Sequence, residues 1–151
     1  MTRGLPGAAG DRLRWASLIF ATLGALVAGY LTYIKLAHVE AICRGVGDCE
    51  TVNNSIYSQI SGIPIAVLGL GAYLAILALL VLEPRVSVLH DFGPLAIFGL
   101  ALTGSLYSAY LTYVELFVIH AICPYCVTSA VLITGLLIMA VVRLARGTLA
   151  G

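Results

Sequence analysis

Four cysteines stand in this chain of 151 residues, and they fall into two pairs, Cys43 with Cys49 and Cys123 with Cys126. Two dithiols in one chain can pass electrons between them, each transfer being thiolate attack on a disulfide through a mixed disulfide. The second pair forms Cys123-Pro124-Tyr125-Cys126, a C-x-x-C motif. At the start of a helix its first thiol would lie near unpaired backbone N–H groups and the positive end of the helix dipole. That setting stabilises the thiolate, which is the reactive form. Pro124 suits the first turn, where its missing N–H leaves nothing unpaired. An inert disulfide and half of a zinc site are the competing readings. Five residues separate Cys43 from Cys49, outside the usual two-to-four spacing of zinc ligands, which argues against metal.

Cys43 and Cys49 lie in a polar stretch from about 38 to 62 that holds Arg44, Gly45, Gly47, Asp48, Glu50, Asn53 and Asn54. A structural staple is one reading of this pair. Yet so short a ring stabilises little by loop entropy, and exposed short-loop disulfides tend to be the labile ones. A redox relay fits better.

Both pairs follow the same apolar segment. Tyr30-Leu31-Thr32-Tyr33 runs on through Ala41-Ile42 to Cys43, and Tyr110-Leu111-Thr112-Tyr113 runs on through Ala121-Ile122 to Cys123. The repeat reaches back: Ala21, Ala25 and Gly29 match Ala101, Ser105 and Ala109, and Gly24 matches Gly104. Small residues four apart let helices approach closely in lipid, so a packing seam is expected in each copy.

Hydrophobic residues make up 61% of the chain and charged ones 10%, against roughly 25% charged in soluble proteins. Mean hydropathy is +1.05. Four stretches approach the roughly 20 apolar residues that cross a bilayer: Arg14 to Lys35, Ile63 to Leu82, Phe92 to Val114 and Ala121 to Val142. The expected fold is an all-α integral membrane four-helix bundle with an extracytoplasmic loop between helices 1 and 2. Residues 12–146 form the membrane domain, with loop 38–62 inside it, and 1–11 and 147–151 are short cytoplasmic tails. Because the third segment mirrors the first, the first is read as a retained helix rather than a cleaved signal. A net charge of +1 and the lack of a basic patch exclude nucleic acid as a partner.

Arg3, Arg12, Arg14, Arg85, Arg143 and Arg146 fall on one side of this arrangement, and Lys35 and Arg44 on the other. The positive-inside rule then puts both termini in the cytoplasm. Both cysteine pairs face the outside, where disulfides persist.

The order Cys43…Cys49, then Ser55, then Ser61-Gly62-Ile63-Pro64 opening a helix, then Cys123-Pro124-Tyr125-Cys126 opening the last helix, resembles the vitamin K epoxide reductase family. It is similar to the bacterial branch, which couples disulfide formation to quinone reduction. The resemblance covers about residues 12–145. It implies a bundle that holds a quinone such as ubiquinone or menaquinone near its outer end, in the bacterial inner membrane. It further implies that Cys126 meets the quinone ring, that Cys123 resolves it and exchanges with Cys49, and that Cys43 exchanges with a thioredoxin-like protein. The redox-active disulfides are then Cys43–Cys49 and Cys123–Cys126, and Ser55 matches the active-site serine or threonine near the quinone. Many bacterial members carry a fused thioredoxin-like domain. This sequence ends at Gly151, so a separate periplasmic thioredoxin-like disulfide oxidase is the expected partner. Ala130 stands where some animal members have a tyrosine important to vitamin K binding, which argues against epoxide reduction.

The sequence therefore points to a quinone-dependent thiol oxidase. Another class of reading is a tetraspan interaction protein with two structural disulfides. His38 and His120 fit interfacial placement better than a proton role, and His90 falls in the cytoplasmic connection. Pro64 is expected in the first turn of the second helix.

Overall fold

In the computed structural model, residues 8–37, 55–56 and 59–150 are described, with side chains from 12 to 147. Cys43, Cys49 and His38 lie outside the described residues. Helix α1 spans Ala8–Ala37, α2 Ile65–Leu82, α3 Ser87–Val114 and α4 Pro124–Ala150. A π-helical turn, Glu115–Ile119, continues α3. A two-strand hairpin, β1 (Gln59–Ile60) and β2 (Ile63–Pro64), precedes α2.

All four helices are long and apolar enough to cross a membrane. Large apolar side chains stand exposed on each of them, among them Leu26, Leu74, Leu106 and Val131. Water does not tolerate so continuous an apolar exterior, and lipid does. The chain is a multi-pass membrane protein with four spanning helices.

Helix bounds and apolar bounds differ, because hydropathy marks contact with lipid whereas a helix continues as long as its backbone bonds do. Helix α3 starts at Ser87 within the polar Ser87–Asp91 segment, ahead of the expected Phe92. Helices α1 and α4 run into the tails set off at 1–11 and 147–151. Pro64 is not in the first turn of α2. It caps the helix in an extended conformation and pairs with Gln59 across the hairpin. Ser61 and Gly62, with φ of 53° and 83°, make the two-residue turn between Ile60 and Ile63. Two positive φ values define the type I′ geometry whose twist suits a tight hairpin.

The interior is built from one buried cluster along the bundle axis, including Ala21, Ala28, Tyr73, Ile76, Leu80, Ala101, Ile133 and Leu136. The repeat is visible in it. Ala21 and its counterpart Ala101 are both fully buried. A Cβ on Gly24 would strike the Tyr73 ring from α2, and one on Gly104 would come within 2.9 Å of Ile133 from α4. Each glycine therefore admits a large side chain from the helix that follows in its half. The seam is not the four-apart series expected, since Ala109 is exposed. It runs through Ala21, Gly24 and Ala28, and through Ala101 and Gly104, a spacing of three to four that keeps one face of an α-helix against its neighbour.

Polar contacts lock one end of the bundle. Arg14 donates to the Leu80 carbonyl through Nε and Nη2 at 3.2 and 3.0 Å. Arg143 Nη2 meets Oε1 and Oε2 of Glu83 at 2.6 and 2.8 Å, with both side chains largely buried. The start of α1 and the ends of α2 and α4 thus share one end, and the C-x-x-C motif lies at the other.

Candidate functional site: a thiol pair beside an apolar cavity

A sharp chain reversal positions the thiols. After the π-helical turn, His120 adopts the left-handed conformation, φ 56° and ψ 32°, and its N–H returns to the Glu115 carbonyl. The Ala121 N–H reaches the same carbonyl at 3.1 Å. The Cys123 N–H donates to Oε2 of the Glu115 side chain at 3.3 Å. Glu115 therefore fastens the connection at both its backbone and its carboxylate.

Cys123 directly precedes Pro124, the first residue of α4, and its carbonyl accepts the first bond of that helix, from Val127 N–H at 3.1 Å. The place at the start of a helix expected of the motif's first thiol is what the fold provides, with Cys123 as the residue that caps α4. Cys123 is completely buried, packed with Leu31 and Ile34 of α1. Tyr125 sets the helix against α1 through its ring contact with Tyr30, with centroids 5.1 Å apart.

The thiols of Cys123 and Cys126 are unbridged and hydrogen-bonded to one another. That bond from Cys126 holds the Cys123 thiol below its ordinary pKa. Burial opposes it, and the backbone N–H groups of Cys126 and Tyr125 reinforce it. A sulfur receiving three donors is stabilised as thiolate.

Beside the pair lies a cavity of about 280 Å³, walled by all four helices and the hairpin. Its walls are mainly apolar, with Leu31, Ile65, Leu111 and Ile133 among them. Ser55 and Cys126 both line it, although 71 positions separate them in the sequence. Cys123 is not in the lining and sits behind Cys126. Tyr73 forms part of the wall, and its hydroxyl is held by the Ser129 carbonyl at 2.8 Å and shares a bond with Ser129 Oγ at 3.0 Å. Thus the residue next to Ala130 anchors a tyrosine that arrives from α2.

Glu115, Tyr73, Tyr107 and Ser129 were not singled out by the sequence. For Glu115 a signal existed. It is the sole Asp, Glu, Lys or Arg between Asp91 and Arg143, and an ionisable group inside a membrane span is a functional candidate by default. It reads as the edge of an apolar span because its partner, the Cys123 N–H, is brought to it only by the reversal at His120.

The fold and site define an integral membrane protein of four spanning helices with a vicinal thiol pair beside an internal cavity. Residues 15–141 match the vitamin K epoxide reductase family, and the chain belongs to it. It is also similar to the thiol-disulfide oxidoreductase LTO1 of Arabidopsis thaliana, at 31% identity over 118 residues. That match takes in 74% of this chain and 31% of the plant protein, so the chain corresponds to less than a third of that relative's length.

Proposed function

We propose that this protein is a membrane quinone-dependent thiol oxidase that reoxidises a thioredoxin-like disulfide-forming partner and so supports disulfide bond formation. The observation that carries the reading is the shared cavity wall of Cys126 and Ser55, with Cys123 hydrogen-bonded behind. Family membership and the plant relative's description as a thiol-disulfide oxidoreductase support it.

The cavity residues fit a quinone ring. Apolar walls would take the ring faces, and the hydroxyls of Ser55, Tyr107 and Thr112 offer donors to carbonyl oxygens. Of the successive helix pairs, α2 and α3 touch least, and Gly69, which lines the cavity on α2, has open space where a side chain would be. A gap there would let a lipid-soluble ligand enter sideways from the bilayer. A quinone, when bound, supplies an acceptor for two electrons and two protons.

The protein's own work is thiol exchange. The partner's dithiol reduces the Cys43–Cys49 disulfide. Cys49 attacks Cys123 of the Cys123–Cys126 disulfide and releases Cys126 as a thiol beside the cavity. Cys43 then attacks Cys49 to restore the Cys43–Cys49 bond and free Cys123. The freed dithiol closes again when it gives its two electrons to the quinone. The buried position of Cys123 keeps bulk water from this step. The protein sits in the bacterial inner membrane with its termini cytoplasmic and both cysteine pairs toward the periplasm.

Cysteine variants of the purified protein test this reading. Cys49→Ala should stop turnover with a thioredoxin-like protein dithiol but keep some turnover with a small dithiol that reaches Cys123 and Cys126. Cys126→Ala should abolish quinone reduction with either donor. Full activity of Cys49→Ala with the protein donor would remove the relay.

A further inference from the structure

Glu115 is a carboxyl group with 2% of its surface exposed, set in the wall of the same cavity as Cys126. Among the described residues it is the only carboxyl or basic side chain in that wall. The other buried carboxylate, Glu83, is neutralised by Arg143, whereas among the described residues no ion pair joins Glu115. Burying an acidic group without a counter-charge is costly. A purely structural acceptor for the Cys123 N–H could be an amide. The acid accepts the Cys123 N–H and shares the cavity wall with Cys126.

Its neighbours explain what such a group could do. Among the described residues the other titratable groups in the wall are Tyr73, Tyr107 and Cys126, and Cys123 lies just behind. Tyrosine hydroxyls titrate near 10, and serine and threonine hydroxyls do not titrate in water's range. Cys123 is fully buried and has no water to take its proton. Glu115 is the base available inside the cavity.

We propose that Glu115 is the proton carrier of this site, taking the proton of Cys123 and delivering it into the cavity while the Cys123–Cys126 bond forms. This rests on the reading of the cavity as a quinone site. In the reduced protein the Cys123 proton resides on Glu115, so carboxylate and thiolate are never negative side by side. On oxidation, Cys126 gives up its S–H proton into the cavity and Glu115 gives up the proton from Cys123. One S–H bond of Cys126 and one O–H bond of Glu115 are lost, and one S–S bond forms. Two electrons and these two protons leave the site and reach the quinone's two oxygens, giving a hydroquinone. Glu115, left as carboxylate, is ready to accept a proton when the dithiol is restored.

Glu115→Gln separates carrying a proton from holding the loop, because the amide oxygen can still accept from the Cys123 N–H. Infrared difference spectra of the full-length protein in detergent, recorded as excess dithiothreitol reduces the Cys123–Cys126 disulfide, provide a readout without quinone. Wild type should gain the C=O stretch of a protonated carboxyl, and Glu115→Gln should not. In single-turnover oxidation of the reduced protein by a short-chain quinone, Glu115→Gln should be slower by about 10²-fold or more. Its thermal midpoint and quinone affinity should stay near wild type, and Glu115→Asp should recover part of the rate. A wild-type spectrum without the carboxyl signal, a signal that persists in Glu115→Gln, or a Glu115→Gln rate within threefold of wild type would each overturn the proposal. Failure of wild type to reduce any quinone would instead sink the functional reading, and the infrared result would still judge the carboxyl.

Discussion

Glu115 Oε2 accepts a hydrogen bond from the Cys123 N–H at 3.3 Å, and this contact joins the end of one spanning helix to the start of the next. Seven residues lie between the two, and the path includes a π-helical turn and a left-handed histidine. The geometry draws a carboxyl and the Cys126 thiol to the wall of an apolar cavity, with Cys123 behind. A residue that ends an apolar span is thereby brought inside the site.

The hydrogen bond from Cys126 is the largest influence on the Cys123 thiol, which is held below its usual pKa. In protein retaining only Cys123 and Cys126, kept reduced, the thiolate ultraviolet absorbance should rise below the ordinary thiol value of about 8.5. Acidification through that lowered pKa should remove it. The stabilisation that the thiolate gives the fold is complete above the unfolded-state pKa and is lost as pH falls through the lowered one. Cys126→Ala should move the titration of Cys123 upward. A titration unchanged or lowered in that variant would mean the N-cap position, not the neighbouring thiol, sets the value.

Gly24 faces the ring of Tyr73, whose hydroxyl is fixed on Ser129. Gly24→Ala should therefore overpack the bundle and destabilise it by about 1–3 kcal/mol. Gly29→Ala, where the added carbon would meet Leu70 at 3.8 Å, should have little effect. Tyr73→Leu should relieve part of the Gly24→Ala defect, a coupling that a double-mutant cycle measures by thermal unfolding in detergent. Strict additivity would show that the two residues do not collide.

Glu83 and Arg143 tie α2 to α4 at the end opposite the thiols. Removing one partner of a buried pair strands the other's charge, so Glu83→Ala should cost about 3–5 kcal/mol. Replacing both by Leu and Met should recover most of that loss, while dithiol oxidation at the far end stays near wild type. Equal stability of Glu83→Ala and wild type would show that the pair is solvated in the membrane-bound protein.

Orientation in the membrane is testable with introduced cysteines in a background lacking the native four. Sites beside Arg85 and after Arg146 should be shielded from impermeant thiol reagents in intact cells, and a site beside Arg44 should react. Labelling at Arg85 from outside would invert the proposed orientation.

Much of this protein is determined by sequence alone. Composition makes lipid the solvent of four helices, because no soluble fold of this length hides so much apolar surface. The repeat marks α1 and α3 as equivalents, and Gly24 and Gly104 do the same work in each half because a missing side chain leaves the same gap wherever it recurs. The place of Cys123 at a helix start is legible as well, since a proline in the first turn and a C-x-x-C motif constrain only their own few residues. The cavity required tertiary structure. Ser55 and Cys126 share a wall because four helices converge there, and Tyr73 reaches Ser129 because Gly24 leaves room for its ring. The return of Cys123 to Glu115 depends on one left-handed backbone at His120, a conformation disfavoured for L-residues and held here by the bonds of His120 and Ala121 N–H to the Glu115 carbonyl. Local patterns specify elements and their ends, whereas the meeting of distant side chains is decided by how those elements pack.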